Sequence, residues 1–240
     1  MFINNIDLLE NHIYFLSRHR GKRESAENSE LIHSEKSAFN IAFPFSSESI
    51  AAVSSFFRIY LPSWVPPNES LSRGWTKIGS ITYMALHKHE NNWKDNGALL
   101  VRKVTTLSDM EDFSLVQAKG FCEGLEEFNE WYPWMRKFNM ENFNDSDQDF
   151  YVAYENEIPA GACLCIHHNG IAGIYAVTTI PSKRKCGIST TIMKCVVRDN
   201  IKIKALLITL QVSTDSYAHN FYRRLGFEDI FECEIFNDKH

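Results

Sequence analysis

The sequence predicts an α/β protein, an α+β mixed sheet with helices on both faces, preceded by a smaller α/β domain. Three observations lead there. From residue 98 onward, segments of strand period and helix period follow one another in the order β-α-α-β-β-β-α-β-α-β. Asn169-Gly170 sits between two apolar runs, the pattern of a tight hairpin, so part of the sheet is antiparallel. A polar, turn-forming run, HENNWKDNG at 89–97, interrupts the chain just before the regular part begins. The expected domains are therefore 1–96 and 97–240.

Taken in order, residues 6–18 have helical spacing, and the Ser- and Glu-rich stretch 21–35 reads as an exposed loop. Residues 37–43 are strand-like. Over 47–60 the spacing is helical, with Ile50, Val53, Phe57 and Tyr60 on one side. Pro62, Pro66 and Pro67 exclude helix from the next stretch, and 79–87 returns to strand. In the second part, 98–105 is a strand and 107–122 and 125–138 are helices split by Gly124. Strands follow at 150–154 and 160–167, and the hairpin returns through 171–180. Residues 188–199 form a helix whose apolar stripe is Ile188, Ile192, Cys195 and Val196. Over 205–213, Leu206, Ile208, Leu210 and Val212 face one way and the residues between them the other. A helix over 216–225 carries Ala218, Phe221, Tyr222 and Leu225 on one face, Gly226 ends it, and 227–236 is the last strand.

Hydrophobic residues make up 44% of the 240 and charged ones 23%, which excludes a disordered chain, a collagen-like fibre and a coiled-coil rod. Lys+Arg 25 against Asp+Glu 30 leaves a net charge of -5, so no global basic field recruits nucleic acid. The first residues carry acids early and Arg18, Arg20, Lys22 and Arg23 late, the reverse of a secretory signal. No window approaches the roughly 18 apolar residues of a membrane span. Six cysteines without a compact framework spacing fit a reducing compartment, and a cytoplasmic location is expected.

The segment that carries chemistry is IYAVTTIPSKRKCGISTT, 174–191. A strand ends at Pro181, Lys183, Arg184 and Lys185 follow, and Gly187 opens a helix. The first N–H groups of a helix lack intrahelical partners and its dipole is positive there, so this is an anion site. Gly187 lets backbone approach a ligand closely, and Ser189 keeps the next turn small. The alternative reading is a basic, solvated strand-to-helix turn.

A second piece follows about 25 residues later: Asp215, Ala218, Tyr222, Gly226 and Phe227. Together the two resemble the GNAT acetyltransferase superfamily. Its phosphate loop, Arg/Gln-x-x-Gly-x-Gly/Ala, is similar to Arg184-Lys185-Cys186-Gly187-Ile188-Ser189, with Ser189 for the last small residue. Its later signature, Asn-x-x-Ala-x-x-x-Tyr-x-x-x-Gly-Phe, is similar to 215–227, with Asp215 for the usual Asn. The resemblance covers some 140 residues from Ala98 and implies a GNAT acyl-CoA N-acyltransferase fold.

That resemblance implies an acetyl-CoA-dependent N-acetyltransferase acting on a primary amine of a small molecule or peptide by direct attack. Val177, Thr178 and Thr179 would line the pantetheine arm of acetyl-CoA. The N–H groups of Arg184, Lys185, Cys186, Gly187, Ile188, Ser189 and Thr190 would hold its pyrophosphate. Tyr222 would protonate the departing thiolate. An alkylamine with a pKa of about 10.4 is neutral in only about 1 molecule in 2,500 at pH 7, so a base is wanted. The glutamate that family members often place on the fourth strand falls on Gly173, which leaves Tyr175, Glu123, Glu126, Glu130 or a water chain as candidates. The missing glutamate also feeds an alternative, a non-catalytic CoA-binding or regulatory module.

Two further clusters bear on the chemistry. Cys163, Cys165 and His167 suggest zinc, but on a strand alternate residues climb roughly 6.7 Å per pair, too far to converge on one ion; no metal is expected. Glu123, Glu126, Glu127 and Glu130 interleave with Phe128, Trp131, Tyr132 and Trp134, which suits either an amine with apolar bulk or a solvated amphipathic helix. Residues 1–90 resemble the degenerate N-terminal half of some two-part GNAT proteins, through a helix, then Gly74-Trp75, then a strand. They lack the phosphate loop, so a second cofactor is not expected there.

Overall fold

The computed structural model describes residues 4–53, 55–86 and 99–239. The boundary expected at 89–97 lies outside the described residues. Contacts divide the chain into two compact units, residues 1–86 with 210–240, and residues 87–209.

The first unit begins with α1 (Asn5–His19), capped by a reciprocal Asn4–Asp7 box. Next come β1 (Lys22–Ala26), β2 (Ser29–His33) and β3 (Ile41–Pro44), then α2 (Ser49–Ala52) and β4 (Arg58–Pro62). After α3 (Glu69–Gly74), Trp75 opens the long β5 (Trp75–Leu86). The strand order is β1-β2-β3-β4-β11-β5, with β11 (Glu228–Asp238) between β4 and β5. Only β3 and β4 run parallel among these pairs, which makes the sheet mixed. Alternation decides what each face covers. Ala42, Ile59 and Leu61 pack with Ile50, Phe56, Leu71 and Trp75 on one side. Phe43, Tyr60 and Tyr83 meet His12 of α1 on the other.

Several expectations for this part fail: the prolines exclude helix only as far as Pro67, since Asn68 caps α3 by accepting from the Leu71 N–H, and the strand expected from 79 already starts at Trp75. The stretch 21–35 is not a loop but the hairpin β1–β2, turned at Asn28 with φ 55°. Its outer strand has little apolar alternation. Arg23 instead pairs with Glu30 of β2 at 2.7 Å and with Glu10 of α1 at 2.5 Å, and Ser25 donates to Glu30. The stretch 47–60 is helical for one turn only. Its apolar spacing is shared between α2 and the alternating Ile59, Tyr60 and Leu61 of β4, where β-branched and aromatic residues fit a pleated surface. Strand 37–43 begins late for its own reason: 37–39 is a 3₁₀ turn, and pairing starts at Ile41.

The second unit follows the expected order closely. It contains β6 (Leu99–Lys103), α4 (Leu107–Phe121), α5 (Gly124–Glu141), β7 (Gln148–Glu155), β8 (Ile158–His168), β9 (Ile171–Thr179) and α6 (Ile188–Lys202). Strands β6 to β9 form an antiparallel meander. Asn169 and Gly170 make the β8–β9 turn with φ 51° and 78°, the left-handed pair that such a turn requires. The helices lie on opposite faces. Phe150 and Tyr154 of β7 reach Phe113 and Asp112 of α4, while Tyr151 and Cys165 reach Asp199 and Asn200 of α6. β10 (Leu207–Ser213) straddles the division, and α7 (Tyr217–Arg224) precedes β11 in the first unit.

Candidate active site

The end of β9 and the start of α6 are joined by a 3₁₀ turn, Pro181–Lys183, and a loop with two left-handed residues, Lys185 at φ 67° and Gly187 at φ 80°. Gly187 is the N-cap of α6, and among the described residues no side chain caps that helix. The first helical hydrogen bond runs from the Thr191 N–H to the Gly187 carbonyl at 3.0 Å, and the Thr191 hydroxyl donates to the same oxygen at 3.1 Å. The N–H groups of Ile188, Ser189 and Thr190 therefore precede the ladder, at the positive end of a 15-residue helix. Residues 184–187 are exposed, so this end is open to an anion.

The predicted basic residues divide their work. Lys183 is ion-paired with Glu155 at the end of β7, which raises its pKa. Arg184 donates from Nη2 to the Gly120 carbonyl at 3.0 Å and from Nε to the Thr179 carbonyl at 3.3 Å, and its own N–H donates to Pro181. Lys185 and Cys186 are exposed, and the Cys186 thiol lies 3.7 Å from the Arg184 carbonyl.

The predicted strand residues sit at an irregularity. Leu164 faces Tyr175 and Ala162 faces Thr178, so Cys163 alone spans Ala176 and Val177: a β-bulge. Ala176 adopts φ 51°, which costs an L-residue with a side chain about 1–2 kcal/mol. Past the bulge the side chains of Thr178 and Thr179 point to opposite faces. Thr178 lies under α4, where a Cβ on Gly120 would come within 1.8 Å of its Oγ1. The Thr179 and Ser189 hydroxyls hydrogen-bond at 2.8 Å, fastening the strand to the first turn of α6. Both threonine side chains thus face other parts of the unit, and the Thr179 carbonyl accepts from Arg184.

Asp215 and Tyr222 belong to the first unit and form a set of their own. Asp215 adopts φ 57°, and its N–H donates to His219 Nδ1 at 3.0 Å. With Nδ1 accepting, the buried His219 carries its proton on Nε2 and donates to Asp229 at 2.9 Å. Arg223 also pairs with Asp229 and holds that carboxyl below its ordinary pKa. The Tyr222 ring is buried against Phe221 and Phe227. Of the candidate bases, Tyr175 is buried beside the bulge, while Glu123, Glu126 and Glu130 are exposed at the α4–α5 connection and along α5. Gly173 is buried in β9, opposite Ile166.

Sequence reasoning missed Gly120 and Gly161. A Cβ on Gly161 would meet Ile188 and Ile192 of α6, so this glycine lets the helix settle on β8. A glycine inside an otherwise apolar strand is a signal of close approach, and IPAGACL carries it.

The sequence profile of the Acetyltransferase (GNAT) domain matches residues 115–239. The chain belongs to the GNAT acetyltransferase family. Solved structures are similar over almost the whole length of this chain. A GCN5-related N-acetyltransferase from Kribbella flavida is similar with a TM-score of 0.71 and 12% identity, over 99% of this chain and 97% of that one. A functionally unknown conserved protein from Staphylococcus epidermidis gives 0.66 and 14%, over 92% and 95%. A GCN5-related N-acetyltransferase from Sphaerobacter thermophilus gives 0.60 and 12%, over 90% and 82%. At such identities the likeness is one of fold. Among curated proteins, none matches this sequence. Within the described residues, no three His, Cys, Asp or Glu side chains gather to hold a metal ion, and no helix is long and apolar enough to cross a membrane.

Proposed function

We propose that this GNAT protein is an acetyl-CoA-dependent N-acetyltransferase that acetylates a primary amine of a small molecule or peptide by direct attack. The observation that carries the reading is the uncapped start of α6 behind Gly187, at φ 80° in an exposed loop. Acetyl-CoA supplies an acetyl thioester activated toward amines. The N–H groups of 185–190 hold its pyrophosphate, that of Arg184 being taken by the Pro181 carbonyl, and the backbone of Val177, Thr178 and Thr179 lies along the pantetheine arm. The bulge at Ala176 and Val177 supports that placement, because it interrupts the β8–β9 ladder at the first of those residues. Tyr222 Oη holds the proton for the departing thiolate, and Asp215 keeps the place that the family signature gives it. A cytoplasmic location belongs to the same reading, supported by six cysteines without framework spacing.

The second reading, a CoA-binding module without catalysis, is favoured by Gly173, which offers no carboxylate on β9. Calorimetric titration with acetyl-CoA, followed by thiol release on a panel of primary amines, separates the two. The proposal expects one acetyl-CoA per chain and acceptor-dependent thiol release. Binding without release on any amine would leave the second reading, and no binding would remove both.

A further inference from the structure

We infer that Arg184 is a positioning residue, a strut that ties the phosphate loop to the C-terminal end of α4, while Lys185 supplies the loop's charge toward a phosphate ligand; this second half rests on the function proposed above. The last four carbonyls of a helix have no intrahelical donor, and that of Gly120, next to the end of α4, is one of them. Arg184 Nη2 satisfies it at 3.0 Å, and the cation sits at the negative end of the helix dipole.

The same guanidinium reaches the Thr179 carbonyl from Nε at 3.3 Å. A planar fork that bonds two elements at once fixes their separation, which a lysine ammonium on a flexible stem does not. Gly120 makes this reach feasible. Without a side chain it lets α4 close onto Thr178, where any Cβ would collide with Oγ1. Strand end, helix end and phosphate loop are thereby joined through one side chain. Lys183 is engaged with Glu155. Of the three basic residues, Lys185 is the one on a left-handed backbone, exposed beside the open start of α6.

Hydrogen exchange on the ligand-free protein tests the strut. The Cys122 N–H closes α4 by donating to the Ala118 carbonyl at 2.9 Å, so its exchange reports the end of that helix. Arg184→Gln and Arg184→Lys should both speed it by about three- to tenfold, the equivalent of one lost hydrogen bond. Lys185→Gln should leave it unchanged. Wild-type exchange in both Arg184 variants would overturn the strut.

The division of charge is read from the salt dependence of the acetyl-CoA dissociation constant. Lys185→Gln should flatten that dependence, whereas Arg184→Gln should weaken binding by a similar factor at every salt concentration. Equal flattening by both variants would return Arg184 to the phosphate. A wild-type chain that binds no acetyl-CoA strikes the proposed function, and the exchange measurement still decides the strut.

Discussion

Gly161 of β8 lies directly beneath Ile188, the first residue of α6: a Cβ on the glycine would come within 2.4 Å of Ile188 Cγ2 and 2.8 Å of Ile192 Cδ1. The helix start that faces the proposed pyrophosphate is therefore seated by a missing side chain on the strand below. Gly161→Val should force the first turn of α6 outward. Overpacking of this kind costs about 1–3 kcal/mol, measurable by denaturant unfolding, and acetyl-CoA binding should weaken with it. Adding Ile188→Ala should recover part of both losses. A Gly161→Val protein with wild-type stability and affinity would show that α6 does not depend on this seat.

Gly187 is the second test of the same region. At φ 80° a β-branched residue is strongly disfavoured, and its side chain would stand beside the open N–H groups. Gly187→Val should reduce acetyl-CoA affinity severely in calorimetry. Wild-type affinity would falsify the placement of the pyrophosphate.

Tyr222 is tested by removing only its hydroxyl. Tyr222→Phe keeps the ring packing against Phe221 and Phe227. Turnover should fall, by an amount between a few-fold and the roughly 10²–10⁴-fold of general acid catalysis, nearer the low end because a thiolate leaves readily. Acetyl-CoA affinity should change little, since one hydroxyl contact contributes only about 0.5–1.5 kcal/mol. If turnover is unchanged on a substrate for which chemistry limits the rate, Tyr222 is a packing aromatic alone.

His12 predicts how the first unit responds to acid. Its Nδ1 and the Tyr83 hydroxyl are 2.7 Å apart in the interior, and burial, then the charge of Arg20, lower its pKa to about 3. The folded pKa lies below the unfolded value of about 6.5, so between those limits the unfolded chain binds a proton that the native one does not. Stability should therefore fall as pH drops below about 6.5, by at most about 1.4 kcal/mol per pH unit from this residue. His12→Asn, which keeps a polar partner for Tyr83 and cannot titrate, should flatten the slope between about pH 6.5 and 5 in urea titrations. An unaltered slope would assign the acid response to other groups.

The order of elements in 99–238 was legible because each carries a periodic apolar pattern and a clear stop. The Asn169-Gly170 turn and the Gly187 helix start are fixed by local chemistry, which a sequence displays. The β1–β2 hairpin was not legible, because Arg23, Glu10 and Glu30 hold it through side chains from three segments. In 47–60 one apolar spacing serves a helical turn and then a strand, so period alone cannot place the change. Gly120, Gly161 and the left-handed Ala176 matter through what lies opposite them, and that depends on the pairing of distant segments. The bulge in particular is a mismatch of count between β8 and β9, invisible in either strand alone.

The position of β11 sets the timetable by which this chain can fold during synthesis. Its residues 228–238 fill the gap between β4 and β5, which were translated before the whole second unit. At about 5–20 residues per second, the ribosome spends on the order of ten seconds between finishing β5 and starting β11. Throughout that interval the facing edges of β4 and β5 lack their strand, while the β6–β9 meander, made of neighbouring segments, is already able to form. Nascent 1–86 thus waits with open hydrogen-bonding edges, and the nascent protein is most exposed to strand-pairing errors and most in need of chaperone cover in that window.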